Sequence, residues 1–123
     1  MRPTRVLIVD DNRDAADLAV MLLTAEGLQA EAVYNGFDAL RADKTFRPDV
    51  VLLDLGLPGM DGYQVAEALN REQPPPFVVA MSGYAEDQAG GAARASGCSR
   101  YLVKPVDIEA MLKLVRGAPA RES

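Results

Sequence analysis

Short apolar runs punctuate the chain, and one of them, Val50-Val51-Leu52-Leu53, runs straight into Asp54. An unbroken run of this length reads as a strand buried on both faces, as in a parallel sheet covered by helices. Arg5-Val6-Leu7-Ile8-Val9 has the same character and also ends in acid, at Asp10-Asp11-Asn12. Phe77 to Met81 forms another such strand, leaving at Ser82-Gly83-Tyr84, and Arg100 to Val103 is the last, leaving at Lys104-Pro105. Gln29 to Val33 is short and less apolar, as an edge strand would be.

Between these runs the period changes to that of a helix. Ala15, Leu18, Ala19 and Leu22 fall on one apolar face of a first helix, which Gly27 stops. Asn35-Gly36 opens a brief helix around Phe37, Ala39 and Leu40, ending before Pro48. Asp61-Gly62 leads into a third, with Val65, Ala66 and Leu69 inward. A fourth is predicted over Glu86 to Ala95, weakened by Gly90-Gly91, since glycine costs about 1 kcal/mol in a helix interior. The two glycines predict fast amide exchange from Gly90 to Arg94. Asp107 caps a fifth, whose Ile108, Met111, Leu112 and Val115 face the core, and from Gly117 onward a frayed tail is expected.

Strand and helix thus alternate along the whole chain, which predicts an α/β, doubly wound parallel sheet of order 2-1-3-4-5 with helices on both faces. All strands of such a sheet leave at one edge, and the exits here carry Asp10, Asp11, Asp54, Ser82 and Lys104. Ligands of open sheets bind at that edge where the strand order reverses, between the first and third strands. With neighbouring strands roughly 4.8 Å apart, the Asp10-Asp11 pair and Asp54 would converge.

Composition narrows the chemistry. At 123 residues with 49% hydrophobic and 25% charged content, the chain fits one globular domain, residues 1–123 with a core over about 5–116. A net charge of -5 argues against a nucleic-acid or anionic-membrane surface. One cysteine, Cys98, and no histidine exclude the usual zinc sites and any Ser-His-Asp or Cys-His device. Cys98 itself reads as a small buried apolar group. The absence of a disulfide framework, of a signal peptide and of any stretch of transmembrane length makes a cytoplasmic location the expectation.

Three clustered carboxylates repel one another unless a cation neutralises them. Magnesium suits such a site, because it takes a few carboxylate oxygens and leaves positions for phosphate oxygens. Lys104 adds a positive charge, Ser82 adds a hydroxyl, and a carboxylate is a competent nucleophile toward phosphorus. Phosphoryl transfer needs mainly alignment and charge neutralisation, so the residues themselves point to a magnesium-dependent aspartate that takes a phosphoryl group.

Val9-Asp10-Asp11-Asn12, Leu53-Asp54, Leu57-Pro58-Gly59-Met60-Asp61-Gly62, Ser82-Gly83-Tyr84 and Tyr101-Leu102-Val103-Lys104-Pro105 together resemble the receiver domain of two-component response regulators. The likeness runs from Arg5 to about Val115. It implies the flavodoxin-like fold and transfer of a phosphoryl group onto Asp54 from a sensor histidine kinase or histidine phosphotransfer protein. By the same resemblance Asp11, Asp54 and the Gly56 carbonyl would ligate Mg2+, with Asp10 acting through water. Ser82 and Lys104 would grip the phosphoryl group, and Tyr101 would be the aromatic switch. The face made by the fourth helix, last strand and last helix would control an unknown downstream protein. The Lys104-Pro105 peptide would be cis. Gly56 has no side chain where many members shield the phosphoryl group, which leaves Tyr84 as a candidate gate for hydrolysis; a Tyr84→Ala variant with an unchanged phosphoryl lifetime would remove it. The opening Asn12-Arg13-Asp14-Ala15-Ala16-Asp17 is similar to receivers of hybrid kinases.

Two other readings stand beside this one. In a docking module with a receiver fold, the acidic pocket is never phosphorylated. A phosphohydrolase of the haloacid-dehalogenase type would place its second aspartate two residues after the first-strand nucleophile, where this chain has Asn12, and the chain has no segment for a cap domain.

Overall fold

In the computed structural model, residues 2–57, 59–83 and 97–121 are described. Their elements are β1 (Arg5–Val9), α1 (Arg13–Ala25), β2 (Gln29–Val33), α2 (Gly36–Phe46), β3 (Val50–Asp54), α3 (Gly62–Asn70), β4 (Phe77–Ser82), β5 (Arg100–Val103) and α4 (Ile108–Gly117). All neighbouring strands pair in parallel, in the order β2-β1-β3-β4-β5. The expected doubly wound sheet is therefore the observed one. The helix expected over Glu86 to Ala95, including Gly90-Gly91, and the side chain of Tyr84 lie outside the described residues.

Alternation along the strands divides the core into two layers. Leu7, Val9, Val51, Leu53, Val78 and Ala80 point to the α2 and α3 side, meeting Ala39, Val65, Ala66 and Leu69. Val6, Ile8, Val50, Leu52, Val79 and Met81 point to the α1 and α4 side, meeting Ala16, Leu23, Met111 and Val115. β3 is buried at every position, so it forms the rigid centre of the sheet. Each fully buried leucine or valine there contributes about 1.5–3 kcal/mol.

Side-chain caps start each described helix. Asn12 accepts from the Ala15 N–H (3.1 Å), Asn35 from Asp38 (2.8 Å) and Asp107 from Glu109 (3.2 Å). Asp61 and Gln64 form a reciprocal capping box at α3. Gly27 ends the first of these helices with φ +89°, a conformation that a side chain disfavours.

Two expectations are corrected. Of the expected stripe of α1, Ala19 packs against the core but Ala15, Leu18 and Leu22 do not: Leu18 is 54% and Leu22 40% exposed, while Ala16 and Leu23 are buried. The sequence holds a second apolar stripe one residue along, Ala16, Ala19, Val20 and Leu23, with the same spacing, and the sheet takes that one. The rejected stripe flanks a groove of about 390 Å³ whose other wall includes Pro105, Val106 and Ile108. Nor does the chain fray throughout beyond Gly117. Arg121 is buried, donating from its backbone N–H to Asp49 at 2.8 Å and pairing through its guanidinium with Asp43. A buried ion pair holds this segment where composition suggested a loose end.

Candidate functional site

The site forms where β1 and β3 run side by side while their connections leave to opposite faces of the sheet. The register pairs Val9 with Leu53, so Asp10 and Asp54 emerge one step later, next to each other. Asp10 closes a short turn, its Oδ1 accepting the Asn12 N–H at 3.0 Å, and its own N–H donates to the Val33 carbonyl at 3.2 Å. Asp10 and Asn12 thereby divide the acidic run: the first serves the site, the second caps α1. Asp54 Oδ1 accepts the Gly56 N–H at 2.9 Å, which turns the chain away from the sheet. The Leu55 N–H donates to the Met81 carbonyl at 3.0 Å and fixes that turn to β4.

Carboxylate oxygens of Asp10, Asp11 and Asp54 lie within 4.8 Å of one another. Asp10 and Asp54 are buried and Asp11 is exposed, so the cluster opens to solvent on one side. The Lys104 Nζ donates to Asp10 Oδ2 at 3.1 Å and lies 3.3 Å from Asp54 Oδ2. Its backbone N–H donates to the Ser82 carbonyl at 2.7 Å, tying the lysine to the end of β4. The Lys104-Pro105 peptide is cis, as expected. Ser82 is buried at the last position of β4, opposite Val103. Tyr101, half-buried beside Ala80, packs against the α2 and α3 layer rather than lying in the carboxylate cluster. The structure thus brings Asp10, Asp11, Asp54 and Lys104 together, with Gly56 and Ser82 joined to them through the backbone.

Burial pushes the Asp54 carboxyl above its ordinary range. The Gly56 N–H and the Lys104 ammonium act against that rise, and the Asp10 charge adds to it. Burial alone would lower Lys104, but its hydrogen bond to Asp10 and the charges of Asp54 and Asp10 outweigh it and hold the ammonium above its usual value. One ammonium therefore leaves the carboxylates short of positive charge. An all-oxygen donor set, partly buried and open on one side, fits a small hard divalent cation.

One positioning residue was not singled out from sequence. A side chain at Gly62 would place its Cβ 2.4 Å from Leu55 Cα and 2.6 Å from the Asp54 carbonyl oxygen. The N-terminus of α3 packs directly behind the Asp54 turn, and only glycine permits that approach. The Asp61-Gly62 pair announced a helix start; its closeness to Asp54 depends on tertiary packing.

Residues 6–116 match the family model described as the response regulator receiver domain. The chain belongs to this family. Among similar proteins, the DNA-binding response regulator MtrA of Mycobacterium tuberculosis is 33% identical over 112 residues, covering 91% of this chain and 49% of that protein. The DNA-binding dual master transcriptional regulator RpaA of Synechocystis is 33% identical over 116 residues, covering 91% of this chain and 47% of that protein. The chain spans about half the length of these relatives. Among solved structures, the signal receiver domain of a response regulator from Bermanella marisrubri superposes with a TM-score of 0.85 at 32% identity, covering 95% of this chain and 98% of that one. A CheY-like receiver domain protein from Methanospirillum hungatei gives 0.86 at 25% identity, covering 93% and 91%. The chain is accordingly a receiver domain of two-component signalling. Two of these relatives are DNA-binding regulators by name, so the expectation that no nucleic acid binds through this domain is not confirmed by them. Among the described residues no helix is long and apolar enough to cross a membrane.

Proposed function

We propose that Asp54 accepts a phosphoryl group from the phosphohistidine of a sensor histidine kinase or histidine phosphotransfer protein. A carboxylate oxygen of Asp54 attacks phosphorus, the P–N bond breaks, and the imidazole nitrogen leaves with the electron pair, giving an acyl phosphate. The observation that carries this reading is the single ammonium of Lys104 set between two buried carboxylates, 3.1 Å from Asp10 and 3.3 Å from Asp54. An isolated ion pair needs one acid; a second and a third acid beside it suit a site that takes further positive charge.

The side chains of Asp11 and Asp54 and the carbonyl of Gly56 would hold Mg2+, with Asp10 acting through water, and the ion would supply charge neutralisation for the phosphoryl oxygens. Lys104 takes a phosphoryl oxygen when it releases Asp54, and Ser82 donates to another. Tyr101 responds to that movement, and the surface of β5, α4 and the segment before β5 passes the change to a downstream protein. The cytoplasm is the compartment in which such a donor would be met.

Acetyl phosphate with magnesium, followed by intact-mass measurement, tests the assignment. The parent should gain a hydroxylamine-labile adduct that Asp54→Asn does not. An adduct in neither protein would favour the docking module.

A further inference from the structure

We infer that the sheet edge opposite the phosphorylation site carries a built receptacle for a guanidinium group, filled in cis by Arg121, and that residues 118–121 are a strap belonging to the folded domain. Helix α4 lies on one face of the sheet and α2 on the other. The chain after α4 passes the N-terminal ends of the strands and delivers Arg121 to α2. There its Nη1 and Nη2 donate to the two oxygens of Asp43, the second at 3.3 Å. Its Nε donates to the Pro74 carbonyl at 2.9 Å, and Nη1 also reaches the Pro48 carbonyl at 3.4 Å. The fork on a carboxylate plus bonds from Nε and Nη1 to two carbonyls matches the donor pattern of a guanidinium and not that of an ammonium.

The receptacle is closed rather than a surface contact. The side chains of Arg121 and Asp43 are 1% and 2% exposed. Beside them Asp49 accepts the Arg121 backbone N–H at 2.8 Å, the Arg5 backbone N–H at 2.9 Å and bonds from Nη1 and Nη2 of Arg2, at 2.6 and 2.7 Å. Two carboxylates thus meet two guanidiniums, one from each end of the described chain. Among the described residues no other cation pairs with Asp43, so removing Arg121 strands a buried negative charge. The family match covers residues 6–116, so the strap lies outside it.

Arg121→Ala in the full chain should lower the thermal midpoint by about 10 °C, the size expected when one partner of a buried pair is lost. Millimolar ethylguanidinium should restore part of that loss saturably, whereas ethylammonium and sodium chloride at equal concentration should not. The same additive should do nothing for the parent or for Asp43→Asn. If Arg121→Ala does not fold, recovery of folded protein on adding ethylguanidinium supports the receptacle. NMR on the parent decides in either case: the Arg121 Nε–H should exchange with water far more slowly than that of an exposed arginine. A midpoint within a degree or two of the parent, or an Nε–H exchanging as fast as in a free arginine, would overturn the inference.

Discussion

Lys104 carries the electrostatics of the site, and its loss should act on Asp54 in a definite direction. The ammonium opposes the rise that burial imposes on the Asp54 carboxyl, so Lys104→Met should move that group's titration still higher, as carbon-13 NMR of the side chain would read. Phosphorylation by acetyl phosphate should slow by roughly 10²-fold, the scale seen when one oriented donor is removed from a charged transition state. Gly62 acts through shape instead. With backbone atoms 2.4 and 2.6 Å from where a methyl group would sit, Gly62→Ala should cost on the order of 1–3 kcal/mol in urea unfolding. It should also slow phosphorylation, because the turn that aims Asp54 must shift. Cys98 lies apart from this chemistry. Burial raises its thiol to about 11, so at pH 8 only about 0.1% is thiolate and alkylation of the folded protein should be slow.

Helices and strands show which signals a linear pattern holds. The buried strands were legible because a run such as Val50 to Leu53 has one plausible setting, and Asp54 at its end followed directly. The buried face of the first helix was not, because two apolar stripes one residue apart have equal periodicity; which one meets the sheet depends on the approach of α1, and the chain order does not contain that. Asp49 is a further case. It stands just before β3 and looks like an ordinary loop acid, yet it joins β1, the C-terminal strap and Arg2. Burial alone would raise its carboxyl, but the hydrogen bonds from Arg2, Arg5 and Arg121 prevail and lower it from 3.8 to about 2. Because the folded value lies below the unfolded one, the stabilisation is fully present above the unfolded value and is lost as pH falls through about 2. It amounts to about 2 kcal/mol. Urea unfolding between pH 5 and 2 should show this loss in the parent and a shallower one in Asp49→Asn.

Across the whole molecule the two edges of the sheet do different work. The edge where the strands end gathers Asp10, Asp11, Asp54 and Lys104, open to solvent on one side. At the opposite edge Asp43, Asp49, Arg2 and Arg121 lock the ends of the described chain with their hydrogen bonds satisfied. The first set could be read from strand exits because the topology sends every exit to the same place. The second could not, since a tail arginine and a helix aspartate carry no periodic signal that they meet. If the gathered acids make Asp54 the phosphoryl acceptor, the acyl phosphate must form on that side chain. Borohydride reduction after acetyl phosphate treatment, followed by peptide mapping, locates the modified carboxyl directly. Modification should fall at Asp54 and require magnesium; modification at another acid, or at Asp54 equally well without magnesium, would overturn the assignment.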